Sequence, residues 1–317
     1  MSKQRVGRSN LFVEPLGLGG NVFGWTIDEQ TSFRVLDAFV AAGFNLIDTA
    51  DVYSNWAPGN PGGVSETIIG NWMRSRGNRD AIVLTTKVGH KSDPDQRGQS
   101  RDYITNAVEA SLRRLGTDYI DLYLAHCEDS ETHLEETLDT YSGLVRAGKV
   151  RSIGASQHSQ QTLSRAQQLS ADQGWARFEN VQSHYNLYDR KDHENELAPF
   201  CLANDVGVTS YFSLARGFLS GKYRSRSDFR KSPTRGFFMK YYLNDRGLRI
   251  LEALDDIAVS RQLAPASVAI AWLITKPGIV APIASATNLD QLDEIINGAR
   301  LSLHADELAR LEVASTY

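Results

Sequence analysis

Four titratable side chains in this 317-residue sequence each follow a short apolar run. Asp48 and Tyr53 follow one run, Lys87 follows a second and His126 a third. Carboxylate, phenol, ammonium and imidazole groups serve enzymes in proton transfer, and a lysine can also form a Schiff base with a carbonyl compound. Each of these residues taken singly is most often a solvated or structural side chain. They become a candidate active site only if the fold brings them together.

The elements that would position them follow from an alternation of apolar runs with segments of helical periodicity. The runs, interpreted as strands, are Phe12-Val-Glu-Pro-Leu-Gly-Leu18, Phe44-Asn-Leu-Ile47, Ala81-Ile-Val-Leu84, Tyr119-Ile-Asp-Leu-Tyr-Leu124, Val150-Arg-Ser-Ile153, Phe178-Glu-Asn-Val181, Val206-Gly-Val-Thr209 and Gly278-Ile-Val-Ala281. The predicted helices have apolar faces made by Ile104, Val108, Leu112 and Leu115 behind an N-cap at Ser100, by Leu134, Leu138, Tyr141 and Val145, and by Leu248, Leu251, Leu254 and Ile257.

Strands that alternate with helices pair in parallel through right-handed crossovers. About eight such units in this length predict an α/β fold, a (β/α)8 TIM barrel, for which roughly 250 residues plus insertions is typical. A doubly wound sheet shows the same alternation, but its G-x-G-x-x-G signature is broken at residues 17–22. Residues 4–13 are predicted to form a hairpin at the bottom of the barrel. No repeat or linker divides residues 1–317, so we predict one domain.

Two irregular segments interrupt the alternation. Residues 54–63 are rich in Pro and Gly, which is typical of a loop. Residues 213–243, which we call the lid, mix arginines and lysines with aromatic residues. Long loops inside compact domains are usually functional, so both segments are candidates for binding.

The composition is that of an ordinary globular protein, with 41% hydrophobic residues, 23% charged residues and a formal net charge of −4. That charge gives no overall attraction to nucleic acid or to an anionic membrane. Cys127 and Cys201 are too few for a disulfide scaffold and lack the spacing of a zinc site, so no metal is expected. The N-terminus lacks the apolar core of a signal peptide, and no apolar stretch is long enough to span a bilayer. These features predict a cytoplasmic protein.

Several motifs occur in order along nearly the whole chain. They are Gly43-Phe-Asn-Leu-Ile-Asp48-Thr-Ala-Asp-Val-Tyr53 with Ser65-Glu66, Thr86-Lys87-Val-Gly89, Leu122-Tyr-Leu-Ala-His126, Gly154-Ala-Ser156-Gln157, Asn180-Val-Gln182-Ser-His-Tyr-Asn-Leu187 and Ser213-Leu-Ala-Arg-Gly217-Phe-Leu-Ser-Gly-Lys222-Tyr223. Together they resemble the aldo-keto reductase family, and the set is far more specific than any single motif. The long lid is similar to that of the branch containing bacterial general-stress reductases and potassium-channel β-subunits.

The resemblance implies a catalytic tetrad of Asp48, Tyr53, Lys87 and His126. Free tyrosine has a pKa near ~10, too high for efficient proton donation at neutral pH, and a neighbouring ammonium lowers that pKa by stabilising the phenolate. Tyr53 is therefore assigned as the general acid and Lys87 as the charge that tunes it. Asp48 would orient Lys87, and His126 would orient the substrate carbonyl. Hydride would reach the carbonyl carbon while Tyr53 protonates the oxygen, and alcohol oxidation would reverse these steps.

The resemblance also implies NADP(H) as cofactor, bound across the top of the barrel. Ser156, Gln157 and Gln182 match the contacts to the carboxamide, and Tyr211 matches the aromatic residue that stacks on the nicotinamide. The full predicted set is Gly20, Asn21, Ser156, Gln157, Gln182, Tyr211, Ser213, Leu214, Gly217, Lys222, Ser285, Thr287, Gln291 and Glu294.

The phosphate and adenosine contacts fit the family pattern less closely. Backbone around residues 213–217, together with Lys222, matches the pyrophosphate contacts. The family often holds the 2′-phosphate with basic residues after the eighth strand, but residues 282–295 contain none, and Ile295 stands where an Asn commonly contacts adenine. Arginines of the lid could supply the charge, because Arg pairs well with phosphate. NADP(H) is therefore favoured, and NAD(H) stays open.

Trp25, Trp56 and Phe237 are expected to line the substrate mouth. With Phe238 and Tyr241 they would form an aromatic pocket of the kind that binds small molecules. The expected partner is a small carbonyl compound or alcohol, whose identity the sequence leaves open, as it does the oligomeric state.

Two other functions compete with carbonyl reduction. One is a nucleotide-binding regulatory protein with little turnover, similar to the channel β-subunits. The other is a Schiff-base lyase that uses Lys87. The basic and aromatic lid is also typical of a nucleic-acid surface, but it is too local in a chain of net charge −4 to favour that reading.

Overall fold

The computed structural model describes residues 2–90, 98–232 and 234–317. It begins with an antiparallel hairpin of β1 (Gln4–Arg5) and β2 (Phe12–Val13). The later strands are β3 (Gly17–Gly19), β4 (Leu46–Asp48), β5 (Val83–Val88), β6 (Ile120–Ala125), β7 (Val150–Ser156), β8 (Phe178–His184), β9 (Gly207–Tyr211) and β10 (Ile279–Ala284). Within these ranges, β3 to β10 form a closed parallel barrel in the order β10-β3-β4-β5-β6-β7-β8-β9, which confirms the predicted (β/α)8 barrel.

Helices surround the barrel and connect its strands. They are α1 (Glu29–Ala41), α2 (Val64–Arg76), α3 (Arg101–Leu115), α4 (Leu134–Arg146), α5 (Gln160–Gln173), α6 (Ala198–Asn204), α7 (Asp245–Arg261), α8 (Pro265–Ile274), α9 (Leu289–Arg300) and α10 (Ala305–Ala314). A π-helix (His193–Leu197) precedes α6, and the lid contains short 3-10 helices at Ala215–Ser220, Arg226–Lys231 and Gly236–Tyr241. The predicted cap at Ser100 is confirmed, because its side chain accepts a hydrogen bond from the backbone N–H of Tyr103.

The hairpin covers the N-terminal end of the barrel, as predicted. Val6 and Val13 pack into one buried cluster with the residues that begin several barrel strands. The sequence pattern predicted a single strand over residues 12–18, and the structure divides it between the hairpin and β3. Pro15 lies between the two strands. A proline has no N–H to donate to the hydrogen bonds between strands, so the strand is interrupted there.

Helix α7 corrects one predicted apolar face. Leu251, Leu254 and Ile257 are buried, but Leu248 is 43% exposed. A spacing of three residues drifts backwards by roughly 60° at each step on a helix of 3.6 residues per turn, so the first and last of these positions lie on opposite sides. Gly247 packs inward in place of Leu248.

No single helix in the described ranges combines the length and the hydropathy needed to cross a membrane. Helices α7 and α8 reach that level only when taken together, and they are bent by 100° relative to each other.

Candidate active site

The barrel brings the four predicted tetrad residues to the C-terminal ends of neighbouring strands. Asp48 ends β4, Lys87 lies near the end of β5, and His126 directly follows β6. Tyr53 reaches the same place from the turn after β4, where its hydroxyl oxygen lies 3.1 Å from Lys87 Nζ. Parallel strands present their C-terminal ends at one face of the barrel, which is where barrel enzymes carry their active sites.

Lys87 is the centre of this cluster. Its side chain is completely buried, and its Nζ donates to Asp48 Oδ2 at 2.7 Å and to the backbone oxygen of Thr49 at 2.6 Å. Burial acts to lower the pKa of Lys87, but the adjacent Asp48 and Tyr53 outweigh it, so the pKa is raised. Lys87 therefore remains a cation at neutral pH.

Tyr53 corrects one electrostatic expectation. Burial raises its pKa, and although Lys87 acts in the opposite direction, Asp48 reinforces the rise. The sequence-based prediction of a lowered pKa considered the ammonium and left out the loss of water and the neighbouring carboxylate. Tyr53 is therefore a neutral phenol at neutral pH, which is the form that donates a proton.

His126 is buried beside Tyr53 and His90. Its ring centroid lies 6.1 Å from that of Tyr53 and 4.6 Å from that of His90. Burial, with smaller contributions from Lys87 and His90, holds the pKa of His126 well below its usual range, so the imidazole is neutral. Its Nδ1 is buried without a hydrogen-bond partner among the described residues. A buried polar atom without a hydrogen-bond partner is typical of a group that binds a ligand.

A cavity of about 1050 Å³ opens above the cluster, and Asp48, Tyr53 and His126 line it. The predicted cofactor residues on its wall are Asn21, Ser156, Gln157, Gln182, Tyr211, Ser213, Leu214, Gly217, Lys222, Ser285, Thr287, Gln291 and Glu294. Gly20 is outside this set, because it packs beneath the wall, where its carbonyl accepts a hydrogen bond from Ser65 Oγ at 2.8 Å.

The residues predicted to contact the nicotinamide are tied directly to the tetrad. Gln182 Nε2 donates to Asp48 Oδ1 at 2.8 Å, and Gln157 Nε2 donates to the backbone oxygen of His126 at 3.1 Å. Tyr211 stacks on His184 with ring centroids 5.3 Å apart. The residues predicted to contact the carboxamide thus form hydrogen bonds with two members of the tetrad, Asp48 and His126.

The start of the lid, together with Phe212 just before it, has several residues in left-handed backbone, and we call this segment the cradle. Gly217 has a φ of 95°, and Phe212, Ala215 and Arg216 also adopt left-handed backbone. A Cβ at position 217 would lie 3.4 Å from Lys222 Nζ, so the glycine leaves the ammonium accessible. Backbone bent in this way commonly holds phosphate groups, so the cradle fits a dinucleotide.

Four cations of the lid line the cavity. Lys231 pairs with Asp228 at 2.8 Å, whereas the other three have no carboxylate partner among the described residues: Arg216, Lys222 and Arg235. Burial lowers the pKa of Lys222, and the charge of Arg235 acts in the same direction. The pKa of Glu294 is raised, chiefly by burial. Lys222 and Arg235 therefore lie where they can neutralise phosphate charge, although residues 282–295 contain no basic residue.

The predicted substrate residues divide into two groups. Trp25 and Trp56 line the cavity with ring centroids 5.4 Å apart, and Trp56 lies 5.7 Å from Tyr53. Phe237 is outside the wall and 65% exposed, which corrects its placement at the substrate mouth. In its short helix the Phe238 ring packs inward on Arg216, so the preceding residue points to solvent.

Sequence reasoning missed His90 and named the lid arginines only as a group, without singling out Arg216, and both residues line the cavity. His90 follows the same strand as Lys87 and could have been found by the same strand-end argument. The position of Arg216 depends on left-handed backbone, which sequence does not reveal for a non-glycine residue. Among the described residues, no group of three or more His, Cys, Asp or Glu side chains could hold a metal ion.

Comparison with known proteins gives a consistent result along the chain. The model described as Aldo/keto reductase family matches residues 15–315. The chain is 34% identical to the uncharacterized oxidoreductase YrpG of Bacillus subtilis (strain 168), over 96% of this chain and 93% of that protein. It is 31% identical to protein tas of Escherichia coli (strain K12), over 98% and 97%. It is 29% identical to versiconal hemiacetal acetate reductase of Aspergillus parasiticus, over 98% and 96%.

Proposed function

Because the chain belongs to the aldo/keto reductase family, we propose that it is an NADP(H)-dependent oxidoreductase that interconverts aldehydes or ketones with alcohols. The family and its reductase relatives support oxidoreduction of carbonyl compounds. The observation that carries the finer proposal is the buried Lys87 ammonium, which touches both the Asp48 carboxylate and the Tyr53 hydroxyl beside the cavity.

In this proposal, residues of the chain orient the carbonyl oxygen of the substrate and transfer one proton to it. The neutral His126 hydrogen-bonds the carbonyl oxygen and turns it towards Tyr53. The Tyr53 hydroxyl gives its proton to that oxygen, and the Lys87 ammonium stabilises the phenolate that remains. Asp48 fixes Lys87 and balances its charge. When bound, the reduced nicotinamide supplies the hydride to the carbonyl carbon.

Preference for NADP(H) over NAD(H) is supported by the lid. Lys222 and Arg235 are unpaired among the described residues and line the cavity with Gln291 and Glu294. Each cation can neutralise phosphate charge, and NADP(H) carries one phosphate group more than NAD(H). Gln291 is held in place because its Oε1 accepts hydrogen bonds from the backbone N–H of Thr287 at 3.0 Å and from its hydroxyl at 2.9 Å.

The test is a steady-state assay of the purified protein with NADPH or NADH and a panel of aldehydes and ketones. We expect carbonyl-dependent oxidation of the nucleotide, faster with NADPH at low concentration. Nucleotide binding with no turnover of any carbonyl would contradict the proposal and favour a regulatory role. Borohydride trapping of a substrate adduct on Lys87 without nucleotide binding would favour a Schiff-base lyase instead.

A further inference from the structure

Arg216 is the charged residue whose position the proposed reaction does not explain. Its guanidinium carbon lies 4.0 Å from the ring centroid of Phe212 and 4.2 Å from that of Phe238, so the planar group is held between two rings. Its backbone has a φ of 57° and a ψ of 21°, a left-handed conformation that favours glycine. A strained backbone at a non-glycine residue persists where the surrounding structure fixes it, and such residues cluster at binding sites.

The charge of Arg216 has no carboxylate partner among the described residues, although the side chain lines the cavity. The carboxylate of Asp189 lies on the far side of Tyr242, whose hydroxyl donates to Asp189 Oδ2 at 3.1 Å. That carboxylate is also engaged by Asn186 Nδ2 at 2.9 Å and lies 3.0 Å from His184 Nε2. Asp189 is therefore occupied. One donor of the Arg216 guanidinium reaches the Tyr242 hydroxyl, and its other donors are left for a ligand.

Arg216 faces a different part of the cavity from Lys222. Lys222 is next to the cradle at Gly217 and within electrostatic reach of Glu294, at the phosphate and adenosine side. Arg216 lies on the Phe212 ring, whose centroid is 5.1 Å from that of Tyr211. Burial raises the pKa of Tyr211 to about 12, and the charge of Arg216 acts to lower that pKa. The guanidinium is therefore within reach of the wall that borders the tetrad.

We propose that Arg216 binds an oxyanion carried by the substrate, so that the preferred substrates are aldehydes or ketones with a carboxylate or similar anionic group. This inference rests on the proposed carbonyl reduction. A guanidinium held flat between two aromatic rings is already ordered, so little rotamer entropy is lost when it pairs with a carboxylate. Arg216 is thus a specificity-determining residue that acts on the far end of the substrate and takes no part in the proton transfer.

The experiment compares two aldehydes that differ in charge and little in shape, 4-carboxybenzaldehyde and methyl 4-formylbenzoate. With the wild-type protein and NADPH, we expect kcat/KM to be roughly tenfold or more higher for the acid, because hydrogen bonds to charged groups are worth that much. Arg216→Gln should remove this preference through KM, while kcat/KM for the ester and the Kd of NADPH stay within about twofold.

Arg224→Gln is the matched control. Arg224 is in the same lid and has the same charge, but it pairs with Asp255 at 2.7 Å and is not on the cavity wall. The control variant should keep the wild-type ratio between the acid and the ester. Binding of each aldehyde, followed by quenching of tryptophan fluorescence, adds a readout that does not depend on turnover.

Three results would overturn the inference. A weaker Kd for NADPH in Arg216→Gln with an unchanged ratio between acid and ester would assign the guanidinium to the cofactor phosphates. An equal loss for both aldehydes with a lower Tm would make it a clamp for the lid. Equal binding of the acid and the ester by the wild-type protein would also exclude a substrate-anion site at Arg216. If the wild type reduces no carbonyl but binds the acid in an Arg216-dependent way, the proposed function fails and the anion site stands.

Discussion

The tetrad and the lid border the same cavity, but the buried charges of the tetrad are paired, whereas two cations of the lid have no carboxylate partner in the described part of the chain. In the tetrad, Lys87 Nζ lies 2.7 Å from Asp48 Oδ2, and the two side chains are 0% and 3% exposed. In the lid, Arg216 and Lys222 have no carboxylate partner among the described residues. The difference indicates that the barrel assembles the proposed catalytic groups before any ligand arrives, whereas the lid leaves the charges of Arg216 and Lys222 for ligands to neutralise.

The backbone shows the same contrast. Asp48 and Lys87 lie in regular parallel strands whose register fixes their separation. The lid begins with left-handed residues, including Ala215 and Arg216, that no regular element supplies. Strain of this kind is tolerated where binding requires a particular backbone shape. The comparison therefore predicts that damage to the tetrad costs both stability and chemistry, while damage to the lid changes ligand affinity.

The largest expected effect comes from breaking the buried ion pair. Lys87→Met leaves the Asp48 carboxylate buried without its cation, so the free energy of unfolding should fall by about 3–5 kcal/mol, together with the loss of carbonyl reduction. Chemical denaturation followed by fluorescence measures the change.

The double variant Lys87→Met with Asp48→Asn is the control for this prediction. It removes both charges, so it should recover much of the lost stability while remaining inactive. A single variant as stable as the wild type would contradict the description of a pre-assembled, charge-paired tetrad.

A smaller effect is expected from a buried group that the barrel keeps neutral. Burial lowers the pKa of His193 from 6.5 to about 4, and its Nδ1 lies 3.0 Å from Ser183 Oγ. The unfolded chain takes up a proton at His193 below about pH 6.5 and the folded chain does not, so stability is lost as the pH falls from there to about 4. The loss is at most about 3 kcal/mol.

His193→Asn should therefore show a shallower fall in the free energy of unfolding between neutral pH and pH ~4.5. His133→Asn, at the exposed N-cap position just before α4, is the control and should keep the wild-type slope. Equal slopes in all three proteins would show that His193 is not held neutral in the folded state.

The smallest effect is expected in the lid. Lys222→Met removes one unpaired cation beside the cradle at Gly217, so the Kd of NADPH should rise about tenfold with little change in Tm. Lys240→Met is the matched control, because Lys240 is in the lid but contacts Phe237 and Tyr241 outside the cavity wall. Equal effects of the two variants would indicate a general lid potential rather than a phosphate contact.

The sequence predicted the barrel strands that carry the tetrad better than it predicted the lid. Apolar runs followed by polar residues placed Asp48, Lys87 and His126 at strand ends, because a short apolar run and the residue that ends it are local features of the sequence. The direction of the Tyr53 pKa was missed, since burial is a tertiary property. The exposure of Phe237 was missed because a lid of short 3-10 helices carries no clear periodicity.

The central claim is that Tyr53 donates the proton while the surrounding site binds the cofactor. Its most direct test measures kcat/KM for one aldehyde and the Kd of NADPH in Tyr53→Phe, with Tyr241→Phe, an exposed lid tyrosine, as the control. We expect Tyr53→Phe to lose roughly 10²–10⁴-fold in kcat/KM while the Kd of NADPH stays within about twofold of wild type. Retention of activity, or a loss explained by weaker NADPH binding, would contradict the assignment.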